Sequence, residues 1–291
     1  MIVDAHQHFW EYNRREYEWI GERMEPLRRD FLPDDLAPHM EQAGVEVTIA
    51  VQTRQTTEET DWLLRLADAH PFIAGVVGWI DLRADDVEAS LEQIRDRPRL
   101  AGIRHIVQSE PDDRFLLDPA FGRGIAALGK AALPYDILIY PRHLPVAAEF
   151  VSRFPSQTFV LDHLAKPEIR KGTIDEWARD LRRLAGAPNL WCKLSGLVTE
   201  ADWLAWTPQQ IEPYLDVAFE CFGPGRLIVG SDWPVCTLAS DYSRTMALVR
   251  DYLGASTSQE REAVLGGNAQ NVYLKSRLPG LATSGSGLGK P

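Results

Sequence analysis

Eight short apolar runs punctuate the chain, at residues 2–6, 45–52, 72–80, 100–106, 135–140, 158–162, 189–194 and 226–230. They read as near-continuous Val, Ile and Leu, without regular alternation of apolar and polar positions. Strands covered on both faces have this pattern, because neither side-chain direction meets water. Between the runs lie amphipathic helical stretches, at 33–43, 57–69, 85–97, 118–131, 144–154, 174–185, 208–222 and 241–253. Their ends are marked. Glu58 and Glu59 favour the start of the second, Gly44 stops the first, and Pro98 stops the third. A further helix is predicted over 258–265, continuing through 268–274.

Strand and helix alternate in units of roughly 30 residues, which calls for parallel strands joined by crossover helices. Eight units predict an α/β fold, a single (β/α)8 TIM barrel with extra C-terminal helices, over an open sheet. The absence of a G-x-G-x-x-G after any run also disfavours a dinucleotide fold. The barrel domain is expected over 1–277, and the Gly- and Ser-rich stretch 278–291 as a flexible tail. The first βα connection, from Phe9 to about Phe31, carries Trp10, Tyr12, Tyr17 and Trp19. At roughly twenty residues it exceeds the usual loop length. A lid over the active face and an irregular packed loop both fit it.

Composition narrows the class further. The 291 residues hold 31 Lys and Arg against 42 Asp and Glu, a formal net charge of −11. An acidic surface argues against general binding to nucleic acid or a membrane surface. The longest clean apolar run, 72–80, is far short of the roughly 20 residues of a spanning helix. Met1 lies one residue from the first strand, so no leader is visible and a cytoplasmic setting is expected. Cys192, Cys221 and Cys236 form no C-x-x-C pair, as expected of free thiols in a reducing compartment.

In a barrel of this kind the C-terminal strand ends hold the site. Strand 1 ends in Asp4-Ala5-His6-Gln7-His8, and alternation directs His6 and His8 the same way. Strand 8 ends in Gly230-Ser231-Asp232-Trp233-Pro234, adjacent to strand 1 once the barrel closes. Asp232 then reaches the space beside the histidines, where it could deprotonate water or ligate a metal. Arg104 and Lys193 interrupt apolar strands, and His163 follows Asp162 after strand 6. A buried cation needs an acid or an anionic ligand. Arg104 and Lys193 therefore either face substrate or sit in internal salt bridges, such as Lys193 with Asp162 or Asp232. The aromatics Trp10, Trp79, Tyr140 and Trp233 gather at the same strand ends, where ring faces can stack on the CH faces of a sugar.

This constellation resembles the amidohydrolase superfamily, and within it the branch whose members open L-fuconolactone, L-rhamnonolactone and related aldonolactones. The matching pieces include His6-Gln7-His8-Phe9-Trp10, Val51-Gln52, Val77-Gly78-Trp79 and Gly102-Ile103-Arg104-His105. They continue in Leu161-Asp162-His163, in Lys193-Leu194-Ser195-Gly196-Leu197-Val198-Thr199-Glu200 and in Gly230-Ser231-Asp232-Trp233-Pro234. The resemblance implies Asp232 as general base, with His163, Arg104 and Lys193 as catalytic partners. It implies Trp10, Gln52, Trp79, His105, Tyr140 and Trp233 around the substrate. His6, His8 and Asp232 could hold one divalent metal, zinc foremost, since three ligands plus water suit that ion. The fifth strand departs from the metal-dependent pattern. It ends in Tyr140-Pro141-Arg142-His143, where many members place a metal-binding His or Lys. Catalysis without metal therefore stays open.

The expected chemistry is hydrolysis of a small sugar lactone to the open aldonate, with Asp232 activating water. A related lactone substrate, a dicarboxylate or rhamnonolactone, is the nearest alternative, followed by decarboxylation on the same barrel. A non-catalytic sugar-acid binding protein is the alternative from another class. No nucleic acid or membrane partner is expected, and a homo-oligomer is compatible with the sequence.

Overall fold

In the computed structural model, residues 1–275 are described; the tail expected at 278–291 lies outside them. The eight expected strands form one parallel sheet in sequence order: β1 Val3–Gln7, β2 Val47–Val51, β3 Ile73–Gly78, β4 Leu100–His105, β5 Tyr135–Ile137, β6 Phe159–Leu161, β7 Leu190–Leu194 and β8 Leu227–Val229. Several are shorter than the apolar runs. The surplus residues at their C-terminal ends leave the ladder and become the turns that carry polar side chains.

The sheet closes between its first and last strands. Asp232 N–H donates to the His6 carbonyl at 2.7 Å, and His8 N–H donates to the Trp233 carbonyl at 2.7 Å. Below them the Asp4 carboxylate takes the part of a backbone acceptor. It accepts from Ser231 N–H at 2.8 Å, from Ser231 Oγ at 2.6 Å and from Tyr242 Oη at 3.0 Å. Gly230 is needed here, since a Cβ would lie 2.7 Å from the His6 Cβ.

Crossover helices cover the barrel: α1 Pro33–Ala43, α2 Thr57–Ala69, α3 Val87–Ile94, α4 Pro119–Lys130, α5 Leu144–Ser152, α6 Asp175–Ala185, a one-turn α7 Leu197–Glu200, α8 Pro208–Phe222 and α9 Tyr242–Tyr252. The short α7 is the one unforeseen helix among them. A final helix, α10, starts at Ser258–Glu262 and continues through π-wound turns at Ala263–Gly267 and Gln270–Leu274. It plugs the lower end of the barrel. Ala269, Tyr273 and Leu274 pack there on the inward side chains Val3, Ala5, Ile49, Ala74 and Ile228.

The first connection is a packed loop. Trp10 and Phe31 exchange both backbone hydrogen bonds, at 3.0 and 2.8 Å. Tyr17, Ile20 and Leu27 are buried beneath it, while Trp19 stays exposed at the rim. The three cysteines are unpaired, two of them buried. Among the described residues no helix is long and apolar enough to cross a membrane.

Candidate active site

The deciding local feature is a slip in the β1 ladder. Asp4 pairs with Thr48 but Gln7 with Ala50, so β1 carries one extra residue between them. Strict alternation from the inward Ala5 would turn His6 out; a bulge re-aims it inward. His6 and His8 then meet, Nε2 to Nε2, at 3.2 Å. His8 Nε2 lies 3.3 Å from Asp232 Oδ1, and His6 Nε2 3.8 Å from the same oxygen.

The three side chains fit a divalent ion. Tetrahedral zinc with N and O ligands at about 2.1 Å spaces its ligand atoms by roughly 3.4 Å, close to the spacing found. The Val51 carbonyl accepts from His8 Nδ1 at 2.7 Å, which leaves the Nε2 lone pair facing the site. Burial keeps His6 neutral, its pKa held well below the usual histidine range. Asp162 lies 3.4 Å from His6 Nδ1, an outer carboxylate of the kind that orients metal-binding imidazoles.

A column of buried polar groups runs beneath this triad. Arg104 Nη1 donates to Asp162 Oδ2 at 3.0 Å and lies 3.3 Å from His6 Nε2. Its Nη2 donates to the Gln52 carbonyl, and Gln52 Nε2 returns a bond to the Arg104 carbonyl at 3.1 Å. Lys193 Nζ pairs with Asp136 at 2.5 Å and with Asp162 at 3.0 Å. Tyr273 Oη, from the helix below, donates to Asp136 at 2.8 Å. Burial lifts Asp136 to about 6, against the pull of Lys193. Burial acts on Asp162 in the same direction, but Lys193, His6 and Arg104 together hold its carboxyl well below the carboxylate range.

Above the triad opens a cavity of about 460 Å³. His8, Asp232, Arg104, His163, Lys166, Tyr140 and Glu200 supply its polar wall, with Trp19, Met24, Trp203 and Leu238 on the apolar side. His163 sits on a left-handed turn. Residues 163–166 all have φ between 53° and 59°, and Asp232 has φ 58°. Left-handed backbone costs a non-glycine residue about 1–2 kcal/mol, so this turn is held by its surroundings. The Leu164 carbonyl accepts from Trp177 Nε1 at 2.8 Å, and His163 Nδ1 lies 2.9 Å from Ser195 Oγ. Burial lowers His163 to about 4, so the ring is neutral near pH 7. Asp232 is held below the carboxylate range, because the neighbouring imidazoles of His163, His8 and His6 together outweigh its burial.

The expected site residues separate into three groups. His6, His8, Asp232, Arg104, His163 and Tyr140 come together at one mouth. Lys193 lies fully buried under the cavity in internal ion pairs, and Gln52 is spent on Arg104. Trp10, Trp79, His105 and Trp233 lie outside the cavity lining. Trp10 and Trp233 are buried against Phe31. His105 follows the inward Arg104 and so faces outward, stacked 4.8 Å from Phe115 and bonded to Trp79 and Glu110. His143, after the fifth strand, turns away to Asp113 at 3.0 Å; the inward residue of β5 is Asp136. Sequence alone assigns no role to Lys166 or Glu200, although Glu200 ends a segment that carries the resemblance and Lys166 lies three residues past another.

The amidohydrolase family model matches residues 3–274. The chain belongs to the amidohydrolase family. An L-fucono-1,5-lactonase of Burkholderia multivorans is 43% identical over 93% of this chain and 95% of its own length. One of Burkholderia ambifaria is 39% identical over 96% and 97%. A crystal structure of a Burkholderia multivorans amidohydrolase with bound Zn, 42% identical, gives a TM-score of 0.91 over 94% of this amidohydrolase and 99% of that chain.

Proposed function

We propose that this amidohydrolase opens a sugar lactone of the L-fucono-1,5-lactone type to its aldonate. The observation that carries the reading is Asp232, an ionised carboxylate at the cavity floor, in contact with His8 and beside the neutral His163. A carboxylate so placed accepts a proton from water as the water oxygen attacks the ring carbonyl. The developing oxyanion is met by Arg104 and by Lys166, both on the cavity wall. The carbonyl–ring oxygen bond then breaks, and the leaving oxygen takes the proton that Asp232 received from water, directly or relayed through the neutral His163. Likeness to two curated L-fucono-1,5-lactonases along nearly the whole chain supports this substrate class.

His6, His8 and Asp232 would hold one divalent ion, zinc by donor chemistry. When bound, it would polarise the lactone carbonyl and lower the pKa of water. A cytoplasmic setting accords with the unpaired thiols, and the partner this reading assigns is the small-molecule lactone, with water as the second reactant.

Asp232→Asn tests the assignment. Lactone opening, followed by proton release into a pH indicator, should fall by about three orders of magnitude or more, while circular dichroism stays unchanged. A folded Asp232→Asn enzyme with near wild-type turnover removes Asp232 from the mechanism. Assay of the wild type after chelation, and again after zinc is returned, tests the ion in the same experiment.

A further inference from the structure

Glu200 terminates the one-turn α7 and lines the reaction cavity. It also lines a second, outer hollow of about 740 Å³, and Tyr140 and Lys166 share that dividing wall with it. The backbone that carries it is fixed. Leu197 and Val198 are buried, Thr199 Oγ1 donates to the Gly196 carbonyl at 2.8 Å, and Trp203 Nε1 donates to the Thr199 carbonyl at 2.8 Å. Glu200 makes no hydrogen bond or ion pair among the described residues, in contrast to Asp4, Glu59, Asp136 and Asp162. A half-buried carboxylate without a protein partner in a cavity is an acceptor waiting for a donor. Burial raises its pKa from the usual glutamate value, with Asp232 and Glu168 adding to the rise and Lys166 opposing it.

Resting on the lactonase reading above, we propose that Glu200 is the specificity-determining residue that accepts hydrogen bonds from the ring hydroxyls of the lactone. A carboxylate takes two O–H donors at once, which suits neighbouring hydroxyls on a sugar ring. The same charge repels a substrate that carries its own carboxylate. The site is thereby assigned to neutral polyhydroxylated lactones and set against lactones of dicarboxylic acids.

The test uses Glu200→Ala and Glu200→Gln with three compounds: a fully hydroxylated hexono-1,5-lactone of the L-fucono series, δ-valerolactone as the bare ring, and a glucarolactone bearing a carboxylate. Loss of a charge-assisted hydrogen bond should raise KM for the hydroxylated lactone about ten- to hundredfold in Glu200→Ala. The expected kcat stays within a few-fold, and Glu200→Gln should lie between Glu200→Ala and the wild type. Turnover or inhibition by δ-valerolactone should be unchanged, and inhibition by the glucarolactone should tighten in both variants. An unchanged KM for the hydroxylated lactone in a wild-type-active background overturns the proposal alone. So does an equal loss on hydroxylated and bare rings, which marks a structural or general catalytic role. A wild type that opens no lactone overturns both this proposal and the reading under it. The near-isosteric Gln variant keeps the test decisive should the Ala variant fail to fold.

Discussion

At the scale of single residues, burial pulls each titratable group toward its neutral form, and the neighbours decide whether it stays there. His105 shows the sign of the effect. It is buried between β4 and Phe115, and desolvation lowers its pKa despite the neighbouring Glu110. Below about pH 6.5 the unfolded chain takes up a proton at this histidine while the folded chain does not. Stability therefore falls as pH drops from about 6.5 toward the folded pKa, by at most about 1.4 kcal/mol per pH unit. Urea unfolding of His105→Gln between about pH 5 and 7 should show a shallower pH slope than the wild type. An identical slope would show that His105 binds its proton equally in both states. The same residue marks a limit of reading a strand from its sequence. Arg104 and His105 are adjacent polar residues on one apolar run, and one of them must face outward. No residue type announces which, just as none announces the β1 bulge that turns His6 and His8 inward; Asp232 and His163 follow strand ends, where the mouth of the barrel is the natural place for a polar side chain.

Between helix and turn, the chain was readable wherever a periodic pattern or a stop residue spoke. The bounds of α1, α2 and α8 match the pattern, and the eight strands fall on the eight apolar runs, several of them shorter than the run. The left-handed turn at 163–166 was not readable, because it contains no glycine or asparagine to signal positive φ. Tertiary contacts override local preference there, and the result is a carrier for His163 and Lys166 whose strain is held by Trp177 and the buried Asp162. Ala132 offers a cleaner measure of this strain away from the site. It follows α4 with φ 52°, exposed, with the Schellman-type bond from Leu133 N–H to the Leu128 carbonyl at 3.1 Å. Ala132→Gly should raise stability by about 0.5–1 kcal/mol in thermal or urea unfolding, opposite in sign to the usual effect of glycine. A loss of stability would show that the left-handed position carries no strain.

Across the whole molecule, the buried column links the lower plug to the upper mouth. It passes from Tyr273 through Asp136 and Lys193 to Asp162, then to Arg104 and His6. Tyr273→Phe removes the donor to Asp136 and keeps the ring. Leaving that buried carboxylate oxygen without its donor should cost about 1–3 kcal/mol in urea unfolding; an unchanged midpoint would place water or another donor at Asp136.

The β1–β8 seam has a temporal consequence. His6 and His8 leave the ribosome more than two hundred residues ahead of Asp232. Their meeting is among the most non-local contacts in the chain, so its loop-closure entropy is met last. A nascent or partly folded chain therefore holds two histidines without their aspartate and is catalytically silent. Recovery of turnover during refolding would report the zipping of this one junction, while helix signals report only the earlier, local steps.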